Sequence, residues 1–466
     1  MATITFIGAA QKVTGSCHLL DSPATGKVLL DCGMHQGHDA IERMQQERFA
    51  FEPAEIDAVI LSHAHLDHSG LLPKLVNQGF RGDIFCTRAS KDLLNIMLQD
   101  SAGLYLRDLE RENLRRARRG QKALQPEYRQ SDVKQVLKQC QTADYGEQLA
   151  LGTEATIEFH DAGHILGSSI IDITLKEQGK TKRLVFSGDL GKKSAALMKD
   201  PEHLHQADVV LMEGTYGDRN HRSLDDTFGQ LRDILHQAWE DGGNVMIPSF
   251  AVGRTQEILF HLGRLLKSGE LDPWQIFLDS PMAIEITKVY DRWINLLDKR
   301  DTEPLFNGKS QPLQTFLPNL QFAVTPDESM AINKIRKGAI IIAGSGMCTG
   351  GRIRHHFKHR IWNKRNTLVF IGFQAHGTLG RILVNGAKRV RMFGEEYVVK
   401  ANIETLGGFS AHAGQSELIE WAGHFRNNPR LMLVHGEPQA LDALSHKLWE
   451  NRISSEVPRQ GQSIVF

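Results

Sequence analysis

The segment Ser62-His63-Ala64-His65-Leu66-Asp67-His68 brings three imidazoles and a carboxylate into seven residues at the end of the apolar run Ala58-Val59-Ile60-Leu61. Imidazole nitrogen and carboxylate oxygen are the donors zinc takes in catalytic sites, with one position left for water or substrate. His63 and His65, two apart in an extended segment, point to the same side. Asp67 and His68 then open a helical pattern that runs on through Ser69-Gly70-Leu71-Leu72-Pro73-Lys74-Leu75-Val76. So dense a set of donors has no ordinary role in a core, and it reads as a metal site. Asp189 follows another apolar run, in Phe186-Ser187-Gly188-Asp189, and suits a carboxylate bridging two ions about 3.5–4 Å apart. His164, in the loop Asp161-Ala162-Gly163-His164, is a further candidate ligand. His160 competes with it, because spacing alone does not separate the two.

The elements that must position these groups are those of an α/β protein. Short β-branched runs alternate with helical patterns nearly throughout, among them Leu184-Val185-Phe186, Val209-Val210-Leu211-Met212, Ile340-Ile341-Ile342 and Leu431-Met432-Leu433-Val434. Asp31, His63, Asp189, Glu213 and His435 each stand within about three residues of such a run's end, where open sheets carry functional groups. Residues 89–124 read as one long helix. The charges in its later part predict a solvated face laced by i,i+4 pairs rather than a nucleic-acid patch.

Composition excludes some classes. Lys+Arg and Asp+Glu both total 55 in 466 residues, so no global charge draws the chain to a polyanion, and any such site must be local. Five cysteines without a C-x-x-C pair predict reduced thiols in a cytoplasmic protein. The chain runs from Met1 straight into a strand, and no apolar stretch has membrane-spanning length. A soluble protein without leader, membrane contact or appended RNA-binding module is expected.

The series His63-x-His65-x-Asp67-His68, His164, Asp189, preceded by Asp31, resembles in order the motifs of the metallo-β-lactamase fold over residues 1 to about 215. That resemblance implies one zinc on His63, His65 and His164 and a second on Asp67 and His68, with Asp189 bridging. Asp67 would also be a catalytic carboxylate, and Asp31 would orient the ligands from behind. Further on, Leu211-Met212-Glu213-Gly214-Thr215, Gly408-Phe409-Ser410-Ala411-His412 and Leu433-Val434-His435-Gly436-Glu437 resemble motifs A, B and C of the β-CASP nucleases. Between them, Pro248-Ser249-Phe250-Ala251-Val252-Gly253-Arg254, Asp279-Ser280-Pro281 and Gly344-Ser345-Gly346-Met347 are similar to segments of the RNA-processing branch. The likeness is closest to prokaryotic relatives of the eukaryotic pre-mRNA 3′-end cleavage endonuclease.

The family pattern implies a metallo-β-lactamase αββα sandwich with an inserted α/β β-CASP domain capping the site. The expected divisions are residues 1–216 and 389–466 for the sandwich and 217–388 for the insertion. His435 would complete the second zinc, and His412, paired with Glu213, would donate a proton to the departing ribose oxygen. His376 is a rival acid on residue type alone. Ser345 and Gly346, on a loop after a strand, and Arg352 beyond them are the expected phosphate contacts, although the family often has serine where this chain has Gly344. Residues 352–365 are basic with Phe357 and Trp362 interleaved. They suit either a grip on single-stranded nucleic acid or a helix with an aromatic core face.

The expected function is zinc-dependent hydrolysis of RNA, endonucleolytic with exonuclease activity as an addition, by a hydroxide held between two Zn2+ ions and leaving a 5′-phosphate. Manganese is an alternative occupant. The competing readings are a DNA-processing β-CASP nuclease, a glyoxalase-like metallo-hydrolase and a non-catalytic RNA-binding scaffold. His435 at motif C favours RNA over DNA, and the full ligand set disfavours the scaffold. Single-stranded RNA is the expected partner, and self-association, where it occurs, is expected as a homodimer.

Overall fold

In the computed structural model, residues 1–35, 40–177, 179–303, 312–372 and 374–466 are described, and they fall into two compact units. The first comprises Met1–Lys193, Lys199–Asn220 and His412–Phe466; the second comprises Ser194–Met198 and His221–Ala411.

The first unit holds two seven-stranded sheets. One runs in the order Ser463–Val465, Thr3–Phe6, His18–Ser22, Gly26–Leu30, Ala58–Ile60, Asp83–Thr87, Cys140–Ala143, and its last four strands are parallel. The other runs Ser455–Glu456, Arg430–Val434, Val209–Glu213, Lys180–Phe186, Ser169–Glu177, Ala155–Asp161, Gln148–Leu151. Ile4, Phe6, Leu20 and Ile60 of the first sheet share one buried core with Phe159, Ile171, Phe186 and Leu211 of the second. The second sheet's outer face, with Val185, Val210 and Leu433, is covered by Leu418 and Trp421 of the helix Gln415–Ala422 and by Leu441, Leu444 and Leu448 of the helix Pro438–Glu450. The helices Arg88–Arg118 and Gln130–Gln139 pack with strands of the first sheet and with each other, and Leu72–Asn77 packs on Gln130–Gln139. Continuous apolar strands such as Ala58–Ile60, buried at every residue, are what a sheet covered on both faces demands. This is the expected αββα sandwich.

Two local expectations shift. The helical pattern after the ligand heptapeptide forms two short helices, Leu66–Ser69 and Leu72–Asn77, because Pro73 has no N–H to continue the first ladder. The long helix ends at Arg118, just before Gly120 at φ 68°, and its charged end is laced by i,i+3 pairs, Asp108–Arg111 and Glu112–Arg115.

The second unit is built on a parallel six-stranded sheet, in the order Leu320–Phe322, Gln275–Asp279, Ala339–Ala343, Val245–Pro248, Thr367–Phe370, Asn402–Thr405. One face packs on Leu231, Ile258 and Leu262, and the other on Ile353, Phe357 and Leu383. The strand Asn402–Thr405 pairs along Thr367–Phe370, so the expected boundary at 388 would cut an edge strand from its sheet. The compact unit instead runs on to Ala411.

Candidate metal centre

Asp189 is the hub of the ligand set. It is 2% exposed, and each of its carboxylate oxygens faces a different pair of imidazoles. Oδ2 lies 3.5 Å from His63 Nε2 and 3.6 Å from His164 Nε2; Oδ1 lies 3.3 Å from His68 Nε2 and 3.4 Å from His435 Nε2. His65 joins the first pair through Nδ1, 3.1 Å from His63 Nε2 and 3.3 Å from His164 Nε2. Half-buried Asp67 joins the second, its donor atom within 4.8 Å of those of His68 and His435. The other six sequence-predicted ligands therefore form two adjoining groups about the two oxygens of Asp189.

The donor set fits two zinc ions. Ligands about 2.0–2.1 Å from a tetrahedral ion stand about 3.3–3.4 Å apart, and the separations above run from 3.1 to 3.6 Å. His68 Nε2 and Asp189 Oδ1 are buried and face each other at 3.3 Å without forming a hydrogen bond. Groups left so in a dry interior are costly unless something else satisfies them, and a cation between them does. Burial pushes the His63 imidazole well below its usual range and His65 to about 4, keeping both neutral as metal donors must be. Burial also opposes ionisation of Asp189, but the surrounding imidazoles of His435 and His68 outweigh it and hold the carboxyl well below its usual range.

A second layer fixes the ligands. Asp31, fully buried at the end of Gly26–Leu30, accepts from His68 Nδ1 at 2.6 Å, Ser62 N at 2.8 Å, Ser62 Oγ at 2.9 Å and Ser16 Oγ at 3.0 Å. The imidazole of His68 thereby turns its Nε2 to the site. Ser62 Oγ is also 3.1 Å from His63 Nδ1. Asp31 and His435 both have positive φ, at 61° and 48°, uncommon outside glycine. His435 is held there by its N–H to Ala9 O at 2.7 Å and by Thr215 Oγ donating to its carbonyl at 3.0 Å.

His412 and Glu213 meet as expected. Glu213, fully buried at the end of Val209–Glu213, accepts from Leu190 N at 2.7 Å and lies 3.1 Å from His412 Nδ1. The ring's Nε2 is thereby directed away from Glu213. Residues His412 and Ala413 are tied to the Asp189 loop by an antiparallel bridge between His412 and Gly191 and by Ala413 N donating to Leu190 O at 2.8 Å. Burial lowers the His412 pKa, but Glu213 and Asp189 outweigh it and raise it to about 9. A raised pKa is what a proton donor near neutral pH requires.

The competitors go elsewhere. His160 lies on the strand Ala155–Asp161 beside Glu202 at 3.1 Å, Glu158 at 3.5 Å and Asp172 at 3.7 Å, outside both ligand groups. His376 is exposed in a turn of the second unit. The expected phosphate residues also stand in that unit. Ser345 Oγ accepts from Gly350 N at 3.2 Å, and Gly346 lies against the Phe250 ring. The guanidinium of Arg352 donates to Asp279 Oδ1 at 2.7 Å, Ala323 O at 2.9 Å and Val324 O at 2.8 Å, so three of its five N–H donors are taken inside the unit. Within the basic segment, Phe357 and Arg360 of the helix Ile353–Arg360 are buried and Trp362 is exposed, so the helix with an aromatic core face prevails over the basic grip.

Sequence reasoning missed Ser16 and the role of Ser62. Ser62 adjoins the ligand His63 and was open to suspicion; nothing in the sequence singles out Ser16.

Comparison with known proteins finds three matching segments. Residues 11–82 match the metallo-beta-lactamase superfamily, 255–383 the Beta-Casp domain, and 396–458 the Zn-dependent metallo-hydrolase RNA specificity domain. The chain is 40% identical over 442 residues, 95% of its own length and 94% of the relative's, to Ribonuclease TTHA0252 of Thermus thermophilus. It is 33% identical to the transcription termination factor FttA of Pyrococcus abyssi, over 94% of this chain and 67% of that one, and 31% identical to that of Methanosarcina mazei, over 96% and 69%. With a bridging carboxylate between two histidine groups and relatives matched along nearly its whole length, the chain belongs to the metallo-β-lactamase superfamily, in its β-CASP branch.

Proposed function

We propose that this protein is a zinc-dependent ribonuclease that hydrolyses phosphodiester bonds in single-stranded RNA. The observation carrying the reading is the pairing of two imidazole groups on the two oxygens of Asp189 with a histidine acid braced by Glu213 beside them. The match to an RNA specificity domain and the relative named a ribonuclease supply the substrate class. The DNA-processing, thioester-hydrolase and scaffold alternatives are not favoured by that company. The inserted unit His221–Ala411 is read as the β-CASP part, and the remainder as the metallo-β-lactamase part. Five free, buried cysteines support a cytoplasmic location.

His63, His65 and His164 would hold one zinc and Asp67, His68 and His435 the other, with Asp189 between them. Bound there, the two ions supply activation of water and neutralisation of charge on the scissile phosphate. The protein's own residues do the rest. Asp31 and Ser62 hold the imidazoles in the tautomer that turns the correct nitrogen inward. Glu213 keeps His412 protonated and fixes its ring, so that Nε2 hands a proton to the departing 3′ oxygen as the P–O3′ bond breaks and its electron pair passes to that oxygen. The products are a 3′-hydroxyl and a 5′-phosphate.

The test is cleavage of a 5′-labelled single-stranded RNA and of the same DNA sequence by wild type and His412→Ala, with zinc quantified in both. RNA cut, DNA spared, and His412→Ala inactive with two zinc ions retained is the expected result. A wild type that carries two zinc ions and cuts neither strand overturns it.

A further inference from the structure

We propose that Phe250 is a base-stacking platform for the RNA substrate, built into the second unit at the carboxyl edge of its parallel sheet. This rests on the ribonuclease reading and adds a positioning residue to it. Phe250 follows the buried strand Val245–Pro248 yet is 41% exposed. Its ring is bedded on glycine: a Cβ at Gly346 would stand 2.6 Å from Phe250 Cδ2 and 2.7 Å from Cε2, and one at Gly372 would stand 3.9 Å from Cε2. Any side chain at 346 would push the ring off.

The bed is held together from beneath. Gln374, 5% exposed, donates its Nε2 to Gly346 O at 3.0 Å and to Gly372 O at 3.2 Å, clamping the two segments that carry the ring. Gly380 leaves room for the clamp, since a Cβ there would fall 1.7 Å from Gln374 Oε1. The Phe250 carbonyl is anchored by Thr255 Oγ at 2.6 Å, so the residue's backbone is fixed as well as its ring. A large, part-exposed aromatic on an ordered glycine bed, in a loop cluster that also carries Ser345, has the composition of a single-strand site. There a ring stacks a base and neighbouring polar groups meet the backbone. Every base offers a π-face, so the platform selects for unpaired nucleotides without reading sequence.

The experiment measures binding of a single-stranded RNA carrying one 2-aminopurine to zinc-loaded His412→Ala protein, by anisotropy and by quenching of the 2-aminopurine. Phe250→Leu keeps bulk and apolarity but removes the π-face, and Phe250→Trp keeps the π-face; thermal melts of both check folding. Stacking predicts that Phe250→Leu weakens binding about 5- to 150-fold and abolishes quenching, while Phe250→Trp retains both. A Phe250→Leu protein that binds and quenches like its parent overturns the platform and leaves the ribonuclease reading standing. A parent protein that binds no RNA overturns the reading on which the platform rests.

Discussion

Asp31→Asn separates the two zinc positions. Wild-type Asp31 accepts four hydrogen bonds, two from hydroxyls that can rotate, one from Ser62 N and one from His68 Nδ1. Asparagine keeps one accepting oxygen and turns the other into a donor. With the oxygen on Ser62 N, the amide NH2 faces the hydroxyls of Ser16 and Ser62, which can turn to accept, and His68 Nδ1–H, which cannot. His68 must either lose that bond or shift its proton to Nε2, and Nε2 is the nitrogen aimed at Asp189 Oδ1. Loss of such a partner costs about 10–100-fold in metal affinity. The larger cost falls on the group of Asp67, His68 and His435; of the other group only His63 is reached, indirectly, through Ser62 Oγ, which has lone pairs enough to accept from the amide and from His63 Nδ1 together. Zinc release to a chromogenic chelator should therefore become biphasic, with one equivalent lost about 10–100-fold more readily and the other released as in wild type. Melting of the metal-stripped proteins corrects for the general cost of a buried unsatisfied group, about 1–3 kcal/mol. If both equivalents weaken together, or neither does, the assignment of Asp31 to a single zinc through the His68 tautomer is wrong.

His412→Ala should lower kcat about 10²–10⁴-fold while the zinc content stays at two. Glu213→Gln should move the basic limb of the pH–rate profile to lower pH. The acid works protonated, so activity falls as pH rises through the His412 pKa, and Glu213 is the first group lifting that pKa against burial. His160, raised to about 9 by Asp172 and Glu202 against burial, contributes stability that is full below about pH 6.5 and lost as pH rises through about 9. Urea titrations should show His160→Gln less stable than wild type at pH 6 by at most about 3 kcal/mol, and equal to it above pH 9.5. Gly191→Ala would set a Cβ 2.0 Å from Gly163 O, forcing apart the loops that carry Asp189 and His164. Both zinc equivalents and about 1–3 kcal/mol of stability should go with it, measured by metal content and thermal melting.

The contiguous half of the site was legible because strand periodicity and ligand chemistry coincide in seven residues. The choice between His160 and His164 was not legible, since it depends on the face a residue takes. Along Ala155–Asp161 burial alternates, and His160 falls on the face away from the shared core. His164 lies past Gly163, whose φ of 67° turns the loop back toward the ligands. The partners of Arg352 were hidden for a related reason. A basic residue beside a glycine loop invites a phosphate, but Asp279, distant in sequence, had already claimed its guanidinium. Ser16 could be recognised only once folding had brought it to Asp31.

The participation of His412 and His435, about three quarters of the chain beyond the first ligands, follows from topology. Val209–Glu213 lies between Lys180–Phe186 and Arg430–Val434 and is parallel to both, with Phe186 opposite Leu211 and Glu213 opposite Val434. Three parallel strands end at one edge, so the Asp189 loop, Glu213 and His435 arrive there together. Adjacent parallel strands cannot be joined by a hairpin; a crossover must intervene, and its length is free. Here the crossover contains His221–Ala411, the main segment of the second unit, and its two ends are tied to each other within the first. Gln415 N donates to Arg219 O at 2.9 Å and Gln415 Nε2 to Gly217 O at 2.6 Å, while Asn220 Oδ1 accepts from Ser416 N at 2.9 Å. With that stem closed and His412 bridged to Gly191, the acid is positioned by the same unit that holds the ligands. The inserted unit can therefore vary without displacing His412 from the ligand groups.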